Sequence, residues 1–416
     1  MIISVLGLGY IGLPTAAILA SKGVDVIGVD INQQTVDIIN KGEIHIIEPE
    51  LDILVSESVK NGRLRATRTP EKADVFIVAV PTPLKGNHEP DLSYIESVAK
   101  AISPVLEKGN LVVLESTSSV GTTEKMIKWI KEKRPDLSFP KFGRNDLNYD
   151  IAVAYCPERV LPGNIIREIE GNDRIIGGVT IDCAKRARDL YKIFVMADCI
   201  ITDCRTAELT KLVENSFRDV NIAFANELSL ICDKLGINVW DMIKFANRHP
   251  RVHILKPGPG VGGHCIAVDP WFIVDSAPDE AKLIRTARLV NDMKPKFVLD
   301  KIEKAVNSTG RKKSDLKIAC LGLAFKPDID DLRESPALNI AKQVSLMNFN
   351  EVLLVEPNIA RLPKEFKVGT KILLIDKAIK LADIVVLLVD HVQFKNIELD
   401  LLAGKQIVDT RGIWPV

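Results

Sequence analysis

Among the seven cysteines of the chain, Cys265 stands apart because of what surrounds it. It ends the segment Pro257-Gly258-Pro259-Gly260-Val261-Gly262-Gly263-His264-Cys265, which is too rich in glycine and proline for helix or strand. Such a segment can turn several backbone N–H groups toward an anion. Asp269 follows four residues later. A thiol placed there is a candidate nucleophile, whereas the cysteines at 156, 183, 199, 204, 232 and 320 read as small buried hydrophobes. His264 has no companions at metal-ligand spacing, so no metal site is expected. A second constellation is Lys211, Asn215 and Arg218, at i, i+4 and i+7 of a helical pattern, so that all three project from one face. That face fits either a solvated, salt-bridging surface or a lysine and amide pair that holds a developing oxyanion.

Near the N-terminus, Gly7-Leu8-Gly9-Tyr10-Ile11-Gly12 lies between a strand pattern and a helix pattern, with Asp30 ending the next strand about twenty residues on. Gly7 permits a tight turn, Gly9 lets the backbone approach a pyrophosphate, and Gly12 allows close helix packing. Tyr10 and Ile11 belong to the same cofactor loop. Asp30 would accept hydrogen bonds from an adenosine ribose and would repel a 2′-phosphate, which selects NAD over NADP. Thr82 and Thr117 each follow a strand pattern, where ligands bind in an open α/β sheet. They fit either the nicotinamide side of the cofactor or helix caps.

These residues need elements to hold them. Apolar, β-branched runs at 2–6, 24–29, 75–80, 111–114, 151–154, 174–177 and 200–202 alternate with amphipathic stretches, the pattern of a parallel sheet with helices on both faces. Residues 206–235 form a helical pattern without Gly or Pro, and 278–307 another that breaks at Pro295. Strand patterns return at 317–321, 351–355, 384–389 and 406–408. The fold expected is α/β, two Rossmann-like doubly wound domains joined by a long-helix central region. The divisions fall at 1–202 for NAD binding, 203–310 for a helical region, and 311–416 for a second, smaller domain.

The composition agrees. The 416 residues are 46% hydrophobic and 26% charged, and 55 basic residues balance 55 acidic ones. No net charge draws the chain to nucleic acid or an anionic membrane, so an anionic ligand must meet local cations. Scattered cysteines without CxxC pairs read as the reduced thiols of a cytoplasmic protein. Residues 1–21 carry no charge, but three glycines and Pro14 argue against a signal peptide or membrane helix.

Further motifs stand in order along the chain: Cys156-Pro157-Glu158-Arg159-Val160, the Lys211 and Asn215 helix, Gly262-Gly263-His264-Cys265, Phe325-Lys326 and Arg333-Glu334-Ser335. With the glycine fingerprint, they make the sequence resemble the UDP-glucose/GDP-mannose dehydrogenase family over essentially its whole length. The runs Asn172-Asp173-Arg174 and Asn247-Arg248-His249-Pro250-Arg251, with His264 where serine is commoner, resemble the branch that oxidises UDP-N-acetylhexosamines.

The resemblance implies an NAD domain, a long helical middle forming the dimer core, and a C-terminal domain closing over UDP. It implies Cys265 as nucleophile, Lys211 as acid and base, Asn215 and Asp269 in support, and Glu158 near the reacting carbon or its water. Lys211, Asn215, Arg159, Val160, Arg218, His249, Arg251, Gly262, Phe325 and Lys326 would bind the nucleotide-sugar. Arg333 would reach NAD. Arg411, standing where close relatives carry lysine, would contact substrate. The expected reaction is a four-electron, NAD-dependent oxidation at C6 of UDP-N-acetylmannosamine, with UDP-N-acetylglucosamine or UDP-glucose as alternatives. A non-catalytic nucleotide-sugar sensor is disfavoured because Cys265, Lys211, Asn215 and Asp269 occur together. The expected assembly is a homodimer or a higher homo-oligomer.

Overall fold

A computed structural model describes residues 1–414 apart from 145–147, 161–162, 264, 365 and 367–369. The expectations attached to His264 therefore lie outside the described residues. The chain divides into two compact units, Met1–Glu214 with Trp271–Pro278, and Asn215–Pro270 with Asp279–Val416. The division falls within the helix Cys204–Leu235.

In the first unit the apolar runs become β1 Ile2–Leu6, β2 Asp25–Val29, β3 Leu64–Thr67, β4 Val75–Val78, β5 Leu111–Leu114, β6 Ala152–Tyr155, β7 Arg174–Gly178 and β8 Cys199–Asp203. Their order is β8-β7-β6-β5-β4-β1-β2-β3. Successive side chains alternate between two cores, Val75 and Ile77 facing one and Phe76 and Val78 the other. Burial on both faces is why these strands read as continuous apolar runs. Two features depart from the sequence expectation. Strand β3 was not expected, being four residues long at the sheet edge, with the exposed Arg65 inside it. The sheet is also not wholly parallel, since β7 runs antiparallel to β6 and β8 then follows β7 in parallel.

After β4, a small hairpin pairs Leu84–Lys85 with Glu89–Pro90. At its tip the His88 ring stacks on Trp271, with centroids 4.1 Å apart and planes 7° from parallel.

The second unit holds β9 Lys317–Leu321, β10 Glu351–Val355, β11 Ile384–Leu387 and β12 Gln406–Asp409, all parallel in the order β10-β9-β11-β12. Alternation again feeds two cores, Ile318 and Cys320 on one side and Ala319 and Leu321 on the other. Ser335 caps the helix Pro336–Ser345 by accepting from the Leu338 N–H, with Pro336 in the first turn where its missing N–H costs nothing.

The helix Lys282–Ser308 runs through Pro295 without the expected break. Proline has no N–H for the carbonyl of Asn291, but tertiary packing carries the helix past it. Where this helix meets Cys204–Leu235, the contact is polar as well as apolar. Arg288 pairs with Asp219 at 2.5 Å, Asn226 donates to Asn291 at 2.8 Å, and Lys294 donates to Ser229 at 2.7 Å. Among the described residues no helix is long and apolar enough to cross a membrane.

Burial pushes the Lys294 amine down from a lysine's ordinary 10.5 to about 7; the nearby Lys301 adds to this and Asp233 opposes it. As pH falls from 10.5 toward 7 the unfolded chain takes up a proton that the folded chain refuses, so this residue costs stability increasingly over that window. Lys294→Met should therefore raise the melting temperature at neutral pH, and the gain should shrink as the pH rises toward 10.5. Thermal denaturation across that range reads it out. A gain independent of pH would show that packing, not the proton, sets the difference.

Candidate active site

At the C-terminal end of β1 the chain must turn under its neighbour. Gly7 has φ +94°, and a β-carbon there would stand 2.5 Å from the Ala79 carbonyl oxygen; one on Gly12 would stand 1.8 Å from the Gly7 oxygen. Neither position tolerates a side chain. Gly9, by contrast, has open space around its β-carbon position, leaving room for a pyrophosphate above the start of the helix Gly12–Ser21. Tyr10 is exposed and Ile11 half-buried beside it. Asp30 directly follows β2 and accepts from the N–H of Leu8 at 3.0 Å and of Asn32 at 2.9 Å. The acid is thus tied to the glycine loop, and the residues fit a dinucleotide.

Thr82 and Thr117 meet. The Thr82 hydroxyl donates to the Thr117 carbonyl at 2.6 Å. Neither caps a helix: the helix after Thr117 starts at Thr122, and its first N–H groups are taken by Glu208 from the helix Cys204–Leu235. Glu208 accepts from Gly121 at 2.6 Å and Thr123 at 2.8 Å. Sequence reading missed Glu208.

It also missed a buried charge cluster at the ends of β5 and β6. Glu158 Oε2 lies 2.6 Å from Arg174 Nη1, and Glu115 lies 3.8 Å from the same nitrogen, all three being buried. Glu158 Oε1 accepts from the Arg159 N–H at 2.6 Å, and the Tyr191 hydroxyl donates to Glu115 at 3.2 Å. The Arg174 contact is close in distance, but its N–H is not aimed along the line to Glu158 Oε2. It is a charge contact more than a hydrogen bond. Burial pushes Glu115 up to about 8, with Arg174 opposing and Glu158 adding to it. At neutral pH Glu115 therefore keeps its proton beside the Arg174 cation. Two glutamates each just past a strand end were the legible signal.

Arg159 grips Glu214 through Nε at 3.0 Å and Nη2 at 2.7 Å and reaches the Asp173 carbonyl at 3.1 Å, with Val160 half-buried beside it. On the helix Cys204–Leu235, Lys211 is half-buried, Asn215 half-buried one turn later, and Arg218 exposed.

The cysteine loop, which belongs to the second unit, leads into the helix Asp269–Ser276, whose residues from Trp271 on belong to the first; sequence reading found no evident helix there. Asp269 at its start followed by Pro270 was the missed signal. The N–H of Asp269 donates to the Cys265 carbonyl at 2.9 Å, and the buried Asp269 carboxylate accepts from Asn215 Nδ2 at 2.6 Å. Cys265 itself is exposed, while the other six cysteines are buried or half-buried, Cys320 with its thiol pushed up to about 12 by burial.

Upstream, the loop is gripped by the C-terminal domain's own residues. Gly263 donates to the Arg333 carbonyl at 3.2 Å, and β-carbons on Gly262 and Gly263 would strike Phe325. The Arg333 side chain pairs with Asp331, and Lys326 is exposed. Arg411 pairs with Asp390 at 2.8 Å and points toward the Pro257 carbonyl at 3.5 Å. His249 and Arg251 stand exposed in a turn after the helix Val239–Ala246, where the Arg251 N–H donates to His249 Nδ1 at 3.3 Å.

Comparison with known proteins accounts for nearly the whole chain. Three models of the UDP-glucose/GDP-mannose dehydrogenase family match: its NAD binding domain over residues 1–195, its central domain over 205–293, and its UDP binding domain over 319–415. The chain is 59% identical over 416 residues to UDP-N-acetyl-D-mannosamine dehydrogenase of Escherichia coli (strain K12), covering 99% of each chain. It is likewise 59% identical over 412 residues to NDP-N-acetyl-D-galactosaminuronic acid dehydrogenase of Ralstonia nicotianae, covering 99% of this chain and 96% of that one. Among solved structures, UDP-D-ManNAc dehydrogenase from Pyrococcus horikoshii superposes with a TM-score of 0.87 at 41% identity, covering 100% of this chain and 96% of the other.

The buried cluster makes stability depend on pH in a stated direction. Between pH 4.5 and 8 the unfolded chain loses the Glu115 proton while the folded chain keeps it, so stability falls across that window and levels off above it. Glu115→Gln, a neutral isostere, should match wild type near pH 4.5 and gain on it up to pH 8, by on the order of a few kcal/mol at most. Denaturant titrations at several pH values would measure this. A constant difference would mean that Glu115 is ionised in the folded protein.

Proposed function

The chain belongs to the UDP-glucose/GDP-mannose dehydrogenase family, and from that premise we propose that it oxidises the C6 alcohol of UDP-N-acetyl-D-mannosamine to a carboxylate. It is an NAD-dependent nucleotide-sugar dehydrogenase. The acetamido sugar is supported by two relatives of equal identity that are both named for N-acetylated sugars. The His249-Pro250-Arg251 run supports it too.

The observation that carries the mechanism is the Asp269 link. Its N–H holds the Cys265 carbonyl and its carboxylate holds Asn215, so the candidate nucleophile is tied to the helix that bears Lys211 one turn before Asn215. NAD held by the Gly7–Gly12 loop and Asp30 would supply a hydride acceptor for two electrons, so alcohol to acid would need two NAD in turn. Lys211 takes the C6 hydroxyl proton as the first hydride leaves. The Cys265 thiolate then bonds to the aldehyde carbon, and the carbonyl oxygen becomes the thiohemiacetal oxygen. Asn215 Nδ2 has a second hydrogen beyond the one given to Asp269, and it meets that oxygen while charge develops. Loss of the second hydride leaves a thioester. Water adds to it under Glu158, and the thiolate departs. Arg159, Arg218, Arg251 and Lys326 supply the local positive charge that the diphosphate needs in a chain with no net charge, with Arg333 assigned to NAD and Arg411 to the substrate side.

Five apolar residues on one face of the helix Cys204–Leu235 are exposed: Val213 at 47%, Phe217 at 68%, Phe224 at 54%, Ile231 at 46% and Leu235 at 64%. Spacings of four and seven make this a stripe that a second copy of the chain covers, giving a homodimer. The double change Phe217→Glu and Phe224→Glu should sediment as a monomer. A dimer that survives it rules out this face.

The chemistry is tested by product analysis. Wild type should release two NADH per uronate and turn over UDP-N-acetylmannosamine faster than UDP-glucose. Cys265→Ala should fold and still reduce the C6 aldehyde with NADH, but should form no uronate. Uronate formation within about tenfold of wild type, only ~1.4 kcal/mol in the barrier, would show that water attacks the aldehyde without a covalent intermediate.

A further inference from the structure

The loop that carries Cys265 rests on a chain of buried polar side chains that the mechanism above does not use. It begins at Arg288, whose Nη1 lies 2.5 Å from Asp219 Oδ1 and whose other terminal nitrogen pairs with Asp292. Asn291 Nδ2 donates to the same Asp219 oxygen at 2.8 Å and to the Asp219 carbonyl at 3.1 Å. Asn226 Nδ2 donates to Asn291 Oδ1 at 2.8 Å, and Asn226 Oδ1 accepts from the backbone N–H of Gly258 at 2.9 Å. Asp219, Asn226 and Asn291 are at most 1% exposed.

The direction of this chain is fixed at both ends. A backbone N–H can only donate, and a carboxylate paired with arginine can only accept, so neither carboxamide can flip without setting like poles together. Two buried amides in series cannot be left half-satisfied without desolvation cost, which makes the arrangement all-or-none. The loop also approaches the second of the two helices, Lys282–Ser308, directly. The Gly260 β-carbon position lies 3.5 Å from the carbonyl oxygen of Asn291, the carbonyl whose helical partner N–H is missing because residue 295 is proline. A β-carbon on Gly258 would stand 2.4 Å from Arg411 Nη1. A β-carbon on Gly260 would also stand 2.9 Å from Pro336 Cβ, so the loop passes close against the start of the helix Pro336–Ser345.

We propose that Asn226 and Asn291 are positioning residues for Cys265: together they convert the packing of two long helices into the placement of loop 257–263, and so of the thiol that follows it. The proposal rests on the reading of Cys265 as nucleophile. Neither asparagine touches the reacting atoms. What they fix is where the loop begins, four residues before Gly262 in one case and through a shared hydrogen bond in the other.

The experiment uses full-length protein and follows three quantities in parallel: the rate at which iodoacetamide alkylates Cys265, read by mass spectrometry; kcat and KM; and the melting temperature. Asn226→Ala and Asn291→Ala should each change the alkylation rate by about threefold or more and lower kcat by about tenfold, with KM for NAD little changed. The double variant should be no worse than the worse single one, because one relay is broken either way. Asn226→Asp keeps the size and the acceptor for Gly258 but loses the donor to Asn291. It should shift alkylation in the same direction by less, and it serves if an alanine variant folds poorly. Variants that lose only melting temperature, with alkylation and kcat at wild-type values, overturn the proposal. The alkylation arm reports loop placement whether or not the thiol forms a thioester, and uronate formation by Cys265→Ala tests that separate reading.

Discussion

Much of this molecule follows from one close approach: the Ala79 carbonyl lies where a side chain on the residue ending the first turn would have to be, so that residue must be Gly7. The constraint arises from topology. In an open sheet wound outward from its centre, β1 lies between β2 and β4, and the turn after β1 has to pass under the end of β4. That crowding brings the N-terminus of a helix, the acid after β2 and the threonines after β4 and β5 to one edge. The residues of the first unit proposed for the cofactor are there because the backbone turns there.

The second sheet repeats the device and uses it differently. After β9, Gly322 has φ +90°, and a β-carbon on it would stand 2.5 Å from the Val389 β-carbon just beyond β11. The acid after β10 is Glu356, which accepts from the N–H groups of Leu323 and Ala324 at 2.7 and 3.0 Å, as Asp30 accepts from Leu8. Asp30, however, is half-buried, with a side open to a ribose. Glu356 is 1% exposed, contacts His391 at 3.1 Å and accepts from the Asn358 N–H at 3.1 Å. Burial works against its ionisation, but His391 and these backbone donors outweigh it and hold the carboxyl below its usual range. A carboxylate already satisfied by the protein has nothing left to offer a second dinucleotide, and the matching family domain is the one that binds UDP.

Legibility in the sequence followed locality. The glycine fingerprint and Asp30 could be read because a turn, a helix start and a strand end leave their signatures within thirty residues. That Cys265 and Asp269 lie together could be read for a similar reason, since they are four residues apart and joined by a backbone hydrogen bond. Strand β3 could not, since four residues around Arg65 carry too little apolar pattern, and the reversal of β7 against β6 leaves no trace in composition. Glu115 and Arg174 lie far apart in the chain and become a cluster only when β5, β6 and β7 are laid side by side. Pro295 was read as a break because local propensity forbids it, and tertiary packing overrode that preference. Glu208 and the pair Asn226 and Asn291 are in the same case: each is an ordinary polar residue on a long helix until its partner arrives from elsewhere.

The discontinuity of the first unit has a consequence for how the chain is made. Its body is complete in sequence by Glu214, yet Trp271–Pro278 belongs to it as well, and the His88 ring lies flat on Trp271. A ribosome delivers residues in order, so the last piece of this unit emerges only after the whole stretch Asn215–Pro270, which packs elsewhere, has been synthesised. Until then the His88 ring has no Trp271 to stack on, and the first unit lacks the buried side chains Phe272, Ile273 and Val274. Completion of the earlier domain is thereby timed by the later one, and a chain that stops short of Trp271 cannot finish even the part whose sheet it has already paired.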